Sequence, residues 1–220
     1  MRRFFIIVLY VFMTFQFCLA DMYVVIYQKD GKRQKHIATE IDSLDILEVI
    51  YNYVDMGLSV KWATTNVGAN SPEEYGDYYG WGEIEAYPTN VYSGTPAVLP
   101  LTQDVANIKW GNGWRMPTVE EVEELIENTV WVWTTLNGIN GAEITSNING
   151  NKIFLPAAGN NGSNDVAIDP SYGGNYWTRS YHDYNGNGYN FWFNSSGVTW
   201  GNSKQDTWTG AGLSIRPVMP

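Results

Sequence analysis

The chain is poor in the residues that build thiol and histidine sites. Of its 220 residues, one is cysteine, Cys18, and two are histidine, His36 and His182. Removal of a twenty-residue leader leaves no cysteine, which excludes disulfides, thiol nucleophiles and thiolate metal sites. Two histidines cannot form a three-histidine centre. A Ser-His-Asp arrangement would depend on His182, which lies among Gly and Asn residues typical of an exposed loop.

Nucleotide-binding and glycosidase signals are also lacking. The sequence has no P-loop and no Gly-x-Gly-x-x-Gly after a strand, and "NGNGYN" at 185–190 is typical of a turn. A glycosidase needs two carboxylates about 5 to 9.5 Å apart in a cleft, and no motif proposes such a pair. We therefore expect a protein that is not an enzyme and takes no cofactor.

Positive charge is scarce. The formal net charge is -10, and loss of Arg2 and Arg3 with the leader would take it to -12. An acidic protein is repelled by nucleic acid and by anionic lipid, so we expect neither as a partner.

The first twenty residues, "MRRFFIIVLYVFMTFQFCLA", have the layout of a signal peptide cleaved after Ala20. The apolar run is shorter than the ~20 residues of a membrane-spanning helix. A lipoprotein signal at Cys18 is the other alternative, although bulky Phe17 precedes it. We expect a secreted protein, periplasmic or on the outer cell surface, with no membrane-spanning segment after cleavage.

The rest divides into a predicted β-hairpin segment at 21–51 and a domain at 52–220. In the first, "MYVVIYQ" and "KHIATEIDSLDILEV" flank the turn "KDGK". In the second, 53–69 is strand-like and 86–108 resembles a long loop. The single clear helix is "MPTVEEVEELIEN", where Thr118 and Glu121 form a capping box and apolar residues recur at helical spacing. Its glutamates are expected on a solvated face.

Short strands and turns follow the helix. "NKIFLPAAG" (151–159) is typical of a buried strand with a Gly turn, and "GLSIRPV" (212–218) predicts a last strand. Asn and Gly, which favour tight turns, are frequent between them. We predict an α+β fold with one main helix and many short antiparallel strands. We expect no bound ion; the alternative is a structural calcium ion with Asp165, Asp169 and Asp183 as oxygen ligands.

Five stretches together resemble the Fibrobacter succinogenes major paralogous domain family, secreted proteins of gut Bacteroidetes. They are "YVDMGLSVKWATTNVGANSPEEYGDYYGWGE" (53–83), "WGNGWRMPT" (110–118), "IFLPAAG" (153–159), "YWTRS" (176–180) and "GLSIRPV" (212–218). "EIDSLDIL", at the end of the hairpin segment, resembles a leader segment common on such proteins.

The resemblance implies a C-type-lectin-like fold, shared with formylglycine-generating enzymes, in which the first and last strands pair. "VDMGLSVKWA" and "LSIRPV" are the candidates for that pair. The cysteines and histidines of the enzymes with this fold, and the Glu-Pro-Asn and Trp-Asn-Asp triplets of calcium-dependent lectins, do not occur in the mature chain. The resemblance therefore implies the fold without catalysis or a calcium-bridged sugar site.

The segment 175–208 is the candidate ligand surface. Along "GYNFWFN", alternation predicts Tyr189, Phe191 and Phe193 on a core face and Asn190, Trp192 and Asn194 on the opposite face. A core role is also expected for Tyr176 and Trp177. Tyr and Trp give contact area at low entropy cost, while Asn and Ser adapt their hydrogen bonds. The predicted ligand-binding residues are Tyr181, His182, Asp183, Tyr184, Asn190, Trp192, Asn202, Lys204, Asp206 and Trp208.

Two functions stay open. The first is a non-enzymatic binding module for a glycan or a protein surface, with a C-terminal region that also suits diversification by a retroelement acting at adenines. The second is a structural or adhesive cell-surface component, in which the hairpin docks to a partner and there is no defined ligand site.

Overall fold

Short antiparallel sheets and two helices make up the described part of the chain, which divides into two units, Met1–Val49 and Ile50–Pro220. The predicted α+β class is confirmed. The structure is a computed structural model that describes the backbone of residues 6–7, 23–27, 33–37, 51–86, 97–161, 167–168, 170–182, 187–198, 205–208 and 212–220. Side chains are described over the same ranges except 6–7, 23–27, 33–37, 167–168, 182, 187, 198 and 205–208.

The described residues of the first unit form a three-stranded antiparallel sheet. Its strands are β1 (Ile6–Ile7), β2 (Tyr23–Tyr27) and β3 (Arg33–Ile37), in the order β1-β2-β3. Strands β2 and β3 are the predicted hairpin, paired along their full length. The rest of the predicted return strand, from residue 38 on, lies outside the described residues. Strand β1 lies within the predicted leader.

In the second unit the last strand pairs with a strand near the start of the unit. Strands β4 (Tyr53–Val54) and β5 (Lys61–Ala63) form the entry to the domain. The last strand of the chain, β15 (Val218–Met219), is antiparallel to β5, with Val218 opposite Trp62. This is the pairing that the family resemblance implies for these two segments, and it is confirmed. It seats both side chains in the core, since neither is exposed.

The predicted helix is present as α2 (Val119–Glu127). The Thr118 hydroxyl accepts the Glu121 backbone N–H at 3.3 Å, and the Glu121 carboxylate accepts the Thr118 backbone N–H at 2.8 Å, which completes the capping box. Val119, Val122 and the Leu125–Ile126 pair face the core.

A second helix, α1 (Val105–Trp110), overlaps the segment predicted as a loop over 86–108, and a 3-10 helix (Leu101–Gln103) precedes it. The prediction of a single helix was therefore wrong. The helix begins after Asp104, whose carboxylate accepts the backbone N–H groups of Ala106 and Asn107 at 3.1 and 3.2 Å. Six residues are too few for a helical period to be recognised, so only the Asp cap and the following Gly111 could have indicated it.

A three-stranded antiparallel sheet follows α2. Its strands are β6 (Thr129–Leu136), β7 (Ile139–Ser146) and β8 (Lys152–Pro156), in the order β6-β7-β8. Asn137 and Gly138 join β6 to β7 with φ of 51° and 85°, as a two-residue hairpin turn requires. Strand β8 confirms the buried strand predicted in "NKIFLPAAG".

The last sheet carries the C-terminal segment. A two-stranded sheet, β9 (Asn160–Asn161) with β10 (Ala167–Ile168), leads into it. The sheet itself has the order β11-β12-β13, and β14 pairs with the same edge of β12 as β13. Its strands are β11 (Gly173–His182), β12 (Asn187–Asn194), β13 (Gly197–Val198) and β14 (Gln205–Trp208).

Candidate functional site

Strands β11 and β12 present two different faces. They are antiparallel, with Tyr176 opposite Phe191 and Gly174 opposite Phe193. The rings of Tyr176, Phe191 and Phe193 are fully buried and pack on one another at centroid distances of 5.3 and 6.0 Å. The predicted core face is confirmed for these side chains, and Trp177 is fully buried as well. Tyr189 is half-buried.

The opposite face carries Trp192 at its outer end. Trp192 is half-buried and lies opposite Asn175 in the strand register. A Cβ atom on Gly173 would come within 3.0 Å of the indole Nε1, so the indole rests on a glycine that leaves room for it. The Trp192 indole thus lies next to Gly173 while part of the side chain faces solvent.

Asn190 is placed differently from the prediction. It lies opposite Trp177, is fully buried, and its amide donates a hydrogen bond to the Asn175 side-chain oxygen. The expectation that Asn190 shares a solvent-facing surface with Trp192 was wrong. Asn190 is the register partner of the fully buried Trp177, whereas alternation along β12 alone predicts only which side a residue takes. Asn175, half-buried beside Trp192, is the amide that sequence reasoning missed.

Tyr181 lies at the far end of β11, beyond a β-bulge between Trp177 and Tyr181. Its ring is half-buried and packs on Trp81 at 5.1 Å. The Trp81 indole in turn donates to the Thr178 carbonyl at 2.8 Å and lies on Gly188, where a Cβ would come within 2.5 Å. The bulge changes the direction of the strand end, and packing on Trp81 holds the Tyr181 ring in place.

The remaining predicted ligand residues are only partly placed. His182 ends β11, and in β14 Asp206 is opposite Tyr189 and Trp208 opposite Asn187; of these side chains the structure describes nothing. Asp183, Tyr184, Asn202 and Lys204 lie outside the described residues, as do the calcium candidates Asp165, Asp169 and Asp183. Across the residues that are described, no three His, Cys, Asp or Glu side chains are grouped as metal ligands.

A partly buried ionic cluster anchors the bulged end of β11. The Arg115 guanidinium donates to both Glu121 oxygens, at 2.8 and 2.5 Å. Arg179, on the bulge, lies 3.9 Å from the fully buried Asp104 and donates to the Leu99 carbonyl. Asp104 also accepts the Met116 backbone N–H. The cluster ties α1, α2 and β11 together.

The electrostatics of the two carboxylates differ. Burial raises the pKa of Asp104, against the effect of the Met116, Asn107 and Ala106 N–H groups and of Arg179. Burial acts in the same direction on Glu121, but the Arg115 hydrogen bond, the Thr118 N–H and the charges of both arginines outweigh it, and the pKa of Glu121 is lowered. The sequence does not indicate this cluster, because its members come from four separate segments.

Two further features are polar but not assigned to the ligand face. Asn161, next to Gly212 in a β-bridge, is fully buried, and both its amide atoms lack a hydrogen-bond partner. A cavity of about 220 Å³ lies beside the β7–β8 strands. The Glu143–Lys152 ion pair and apolar side chains line it. Neither feature brings together a nucleophile and a base.

Comparison with protein-family models, with curated proteins and with solved structures found no match for this chain. A search of the described helices for an apolar segment long enough to cross a bilayer found none.

Proposed function

We propose that this protein is a secreted or surface-exposed binding module, not an enzyme, that recognises a glycan or a protein surface through the face of β11 and β12 around Trp192. We assign the domain at 52–220 to the C-type-lectin-like fold that the family resemblance implies. The pairing of β5 with β15 supports that assignment, because it joins the last strand of the domain to a strand near its start.

The observation that carries the proposal is the placement of Trp192. Its ring is partly exposed, whereas its chain neighbours Phe191 and Phe193 are anchored in the core. A ring held on a rigid strand loses little conformational entropy when a ligand covers it. Asn175, directly opposite, offers an amide beside the ring. An aromatic face next to an amide suits the apolar C–H face and hydroxyl edge of a sugar, and also suits a peptide.

Tyr181 supports a second contact point on the same sheet. It is half-buried and held against Trp81, so its ring needs no large rearrangement to meet a ligand. The register sets His182 and Trp208 against Asn187, and Asp206 against Tyr189, which is the side of the sheet opposite to Trp192. We therefore leave these three residues out of the proposed ligand face.

The test is a glycan and protein array probed with the full chain and with Trp192→Ala. We expect the variant to lose about 1 kcal/mol or more of binding free energy, a fall in affinity of roughly fivefold. Tyr53→Ala is the matched control, because Tyr53 is an exposed aromatic outside this sheet. The control variant should bind as the wild type does.

Other results would support the alternatives. Equal signal from wild type and Trp192→Ala on every bound probe would favour the structural or adhesive component. Hydrolysis of a polysaccharide, abolished by one carboxylate substitution, would favour an enzyme and overturn the proposal.

We also propose that the C-terminal region is a target of retroelement diversification. The segments around 181–190 and 201–208 are rich in Asn, Tyr, Ser and Asp, whereas the following "GLSIRPV" carries core residues that cannot vary freely. Sequencing the locus should find a near-copy of this region that differs at adenines, beside a reverse transcriptase gene. A locus without both would end this part of the proposal.

A further inference from the structure

A cavity of about 220 Å³ lies on the outer face of the sheet formed by β6, β7 and β8. On this face Glu143 is opposite Phe154, whereas the neighbouring pair, Ala142 and Leu155, faces the core. Lys152 and Glu143 are 54% and 42% exposed, so the cavity is open to solvent at this ion pair. The residues that line it come from the sheet and from the segment before α1: Val54, Thr64, Pro72, Leu136, Glu143, Lys152, Ile153 and Phe154.

Most of these residues are apolar. The Phe154 ring lies over Gly141, where a Cβ atom would come within 2.5 Å of a ring carbon, so the glycine leaves the space that the ring occupies. Val54, Pro72 and Leu136 extend the apolar lining on the other sides. A cavity of about 150 Å³ takes one benzene molecule. The cavity beside Phe154 therefore has room for a single six-membered ring with small substituents.

Three polar side chains line the cavity, and they differ in what they can still bind. Lys152 Nζ donates to Glu143 Oε1 at 2.6 Å, which leaves the ammonium group further N–H donors. Glu143 Oε2 accepts from no described residue. The Thr64 hydroxyl donates to the Asn52 carbonyl at 3.2 Å, so its oxygen can still accept. The cavity therefore offers one donor group and two acceptors.

This set of groups disfavours a charged ligand. A carboxylate has acceptors only and would meet the acceptors of Glu143 and Thr64, whereas an ammonium group has donors only and would meet Lys152. Glu73 follows the lining in sequence and adds negative charge there, although its carboxylate accepts from the Asn137 amide at 2.8 Å and does not line the cavity. Hydroxyl groups both donate and accept, so a ligand that carries several of them can use all three side chains.

We infer that the cavity binds a single uncharged sugar ring, whose adjacent hydroxyls bridge Lys152 and Glu143 and whose C–H face packs on the apolar lining around Phe154. One hydroxyl oxygen accepts from Lys152 Nζ, and the neighbouring hydroxyl donates to Glu143 Oε2. Such charge-assisted hydrogen bonds are stronger than neutral ones, and an ion pair that is already formed needs little reordering. The site goes beyond the proposed function and does not rest on it, because the face around Trp192 belongs to another sheet.

NMR titration of the isotope-labelled full chain with the methyl glycosides of glucose, galactose and mannose tests the inference. At least one of them should shift the amide signals of residues 141–145 and 152–154 in a saturable way, with the weak, millimolar affinity expected of one ring. Cyclohexanol, a ring with a single hydroxyl, should bind at least about tenfold more weakly, because it cannot bridge the two charged groups.

Glu143→Ala combined with Lys152→Ala removes both bridging groups and keeps the net charge. An exposed ion pair contributes little to stability, so the urea midpoint should stay close to that of the wild type. Sugar affinity should fall at least about tenfold. Lys109→Ala combined with Glu127→Ala is the matched control, since both residues are exposed and neither lines the cavity. This control and Trp192→Ala should both bind the glycoside as the wild type does.

Three results would overturn the inference. The first is an absence of shifts at 141–145 and 152–154 with every glycoside at its highest soluble concentration. The second is a folded double variant at Glu143 and Lys152 that binds as the wild type does. The third is tighter binding of sodium benzoate than of any sugar, which would make the cavity an anion site at Lys152. Shifts confined to the surroundings of Trp192 would count against the cavity and for the proposed face, whereas cavity shifts without array binding through Trp192 would count against the proposed face alone.

Discussion

Arg216 donates from Nε to the Asn66 side-chain oxygen at 2.8 Å, and both residues are fully buried. The rest of the guanidinium donates to the Ala63 and Phe154 carbonyls at 2.9 and 3.0 Å. The described residues place no carboxylate in an ion pair with Arg216, and burial lowers the pKa of Arg216 to about 10. The arginine joins β5, β8 and the C-terminal segment through neutral acceptors.

Arg216→Met should therefore destabilise the protein strongly. The substitution leaves the acceptors of Asn66, Ala63 and Phe154 buried without a donor, and each unsatisfied group costs about 1–3 kcal/mol, without strict additivity. We expect the free energy of unfolding in urea to fall by at least about 3 kcal/mol. Lys152→Met, which removes an exposed ion pair, should cost no more than about 1 kcal/mol. Equal losses in both variants would contradict the anchoring role of Arg216.

Glu121 should make the stability of the fold sensitive to low pH. Its folded-state pKa lies below the ordinary value of 4.5, so its ionised form stabilises the fold. That contribution is complete above the unfolded-state pKa and is lost as pH falls from about 4.5 through the folded-state value. Glu121→Gln should lower stability at pH 7 and make stability depend less on pH below 4.5. Urea unfolding at a series of pH values measures both effects.

Glu120→Gln is the control for this experiment. Glu120 is exposed in the same helical turn, and its substitution changes the net charge equally. Its stability profile should follow the wild type. If both variants showed the same profile, the acid response would reflect net charge and not the Arg115–Glu121 contact.

Gly188→Ala should be destabilising although alanine is small. The added Cβ would come within 2.5 Å of the Trp81 ring, which is fully buried and hydrogen-bonded to the Thr178 carbonyl. Overpacking of this kind typically costs about 1–3 kcal/mol. Because Trp81 also supports Tyr181, ligand affinity should fall as well. Thermal unfolding that matches the wild type would mean that the ring moves aside freely.

Trp192→Ala and Phe193→Ala should separate binding from stability. Phe193 is in the core and contacts Trp131 and Tyr176, so its loss should cost about 3–5 kcal/mol. Trp192 is half-buried and should cost less, while its variant loses ligand. Urea unfolding and array binding of both variants give the comparison. A larger loss of stability for Trp192 than for Phe193 would mean that its ring serves the core.

Local signals predicted part of this fold. The helix α2 could be identified because its capping box and apolar spacing lie within nine residues. The pairing of β5 with β15 came from the motifs of a family resemblance, since no local pattern links residues so far apart. The side of β12 that faces the core followed from alternation, but the burial of Asn190 did not, because alternation does not show what packs on a face. The ionic cluster around Arg179 could not be predicted for the same reason.

The pairing of β5 with β15 also determines when the domain can fold. Leu213, Ile215, Arg216 and Val218 complete the core within the last eight residues of the chain. A nascent chain that still holds these residues inside the ribosome lacks the final strand and the buried guanidinium. We therefore expect Ile50–Pro220 to fold only after this segment has left the ribosome, which keeps the polypeptide in a threadable form until then.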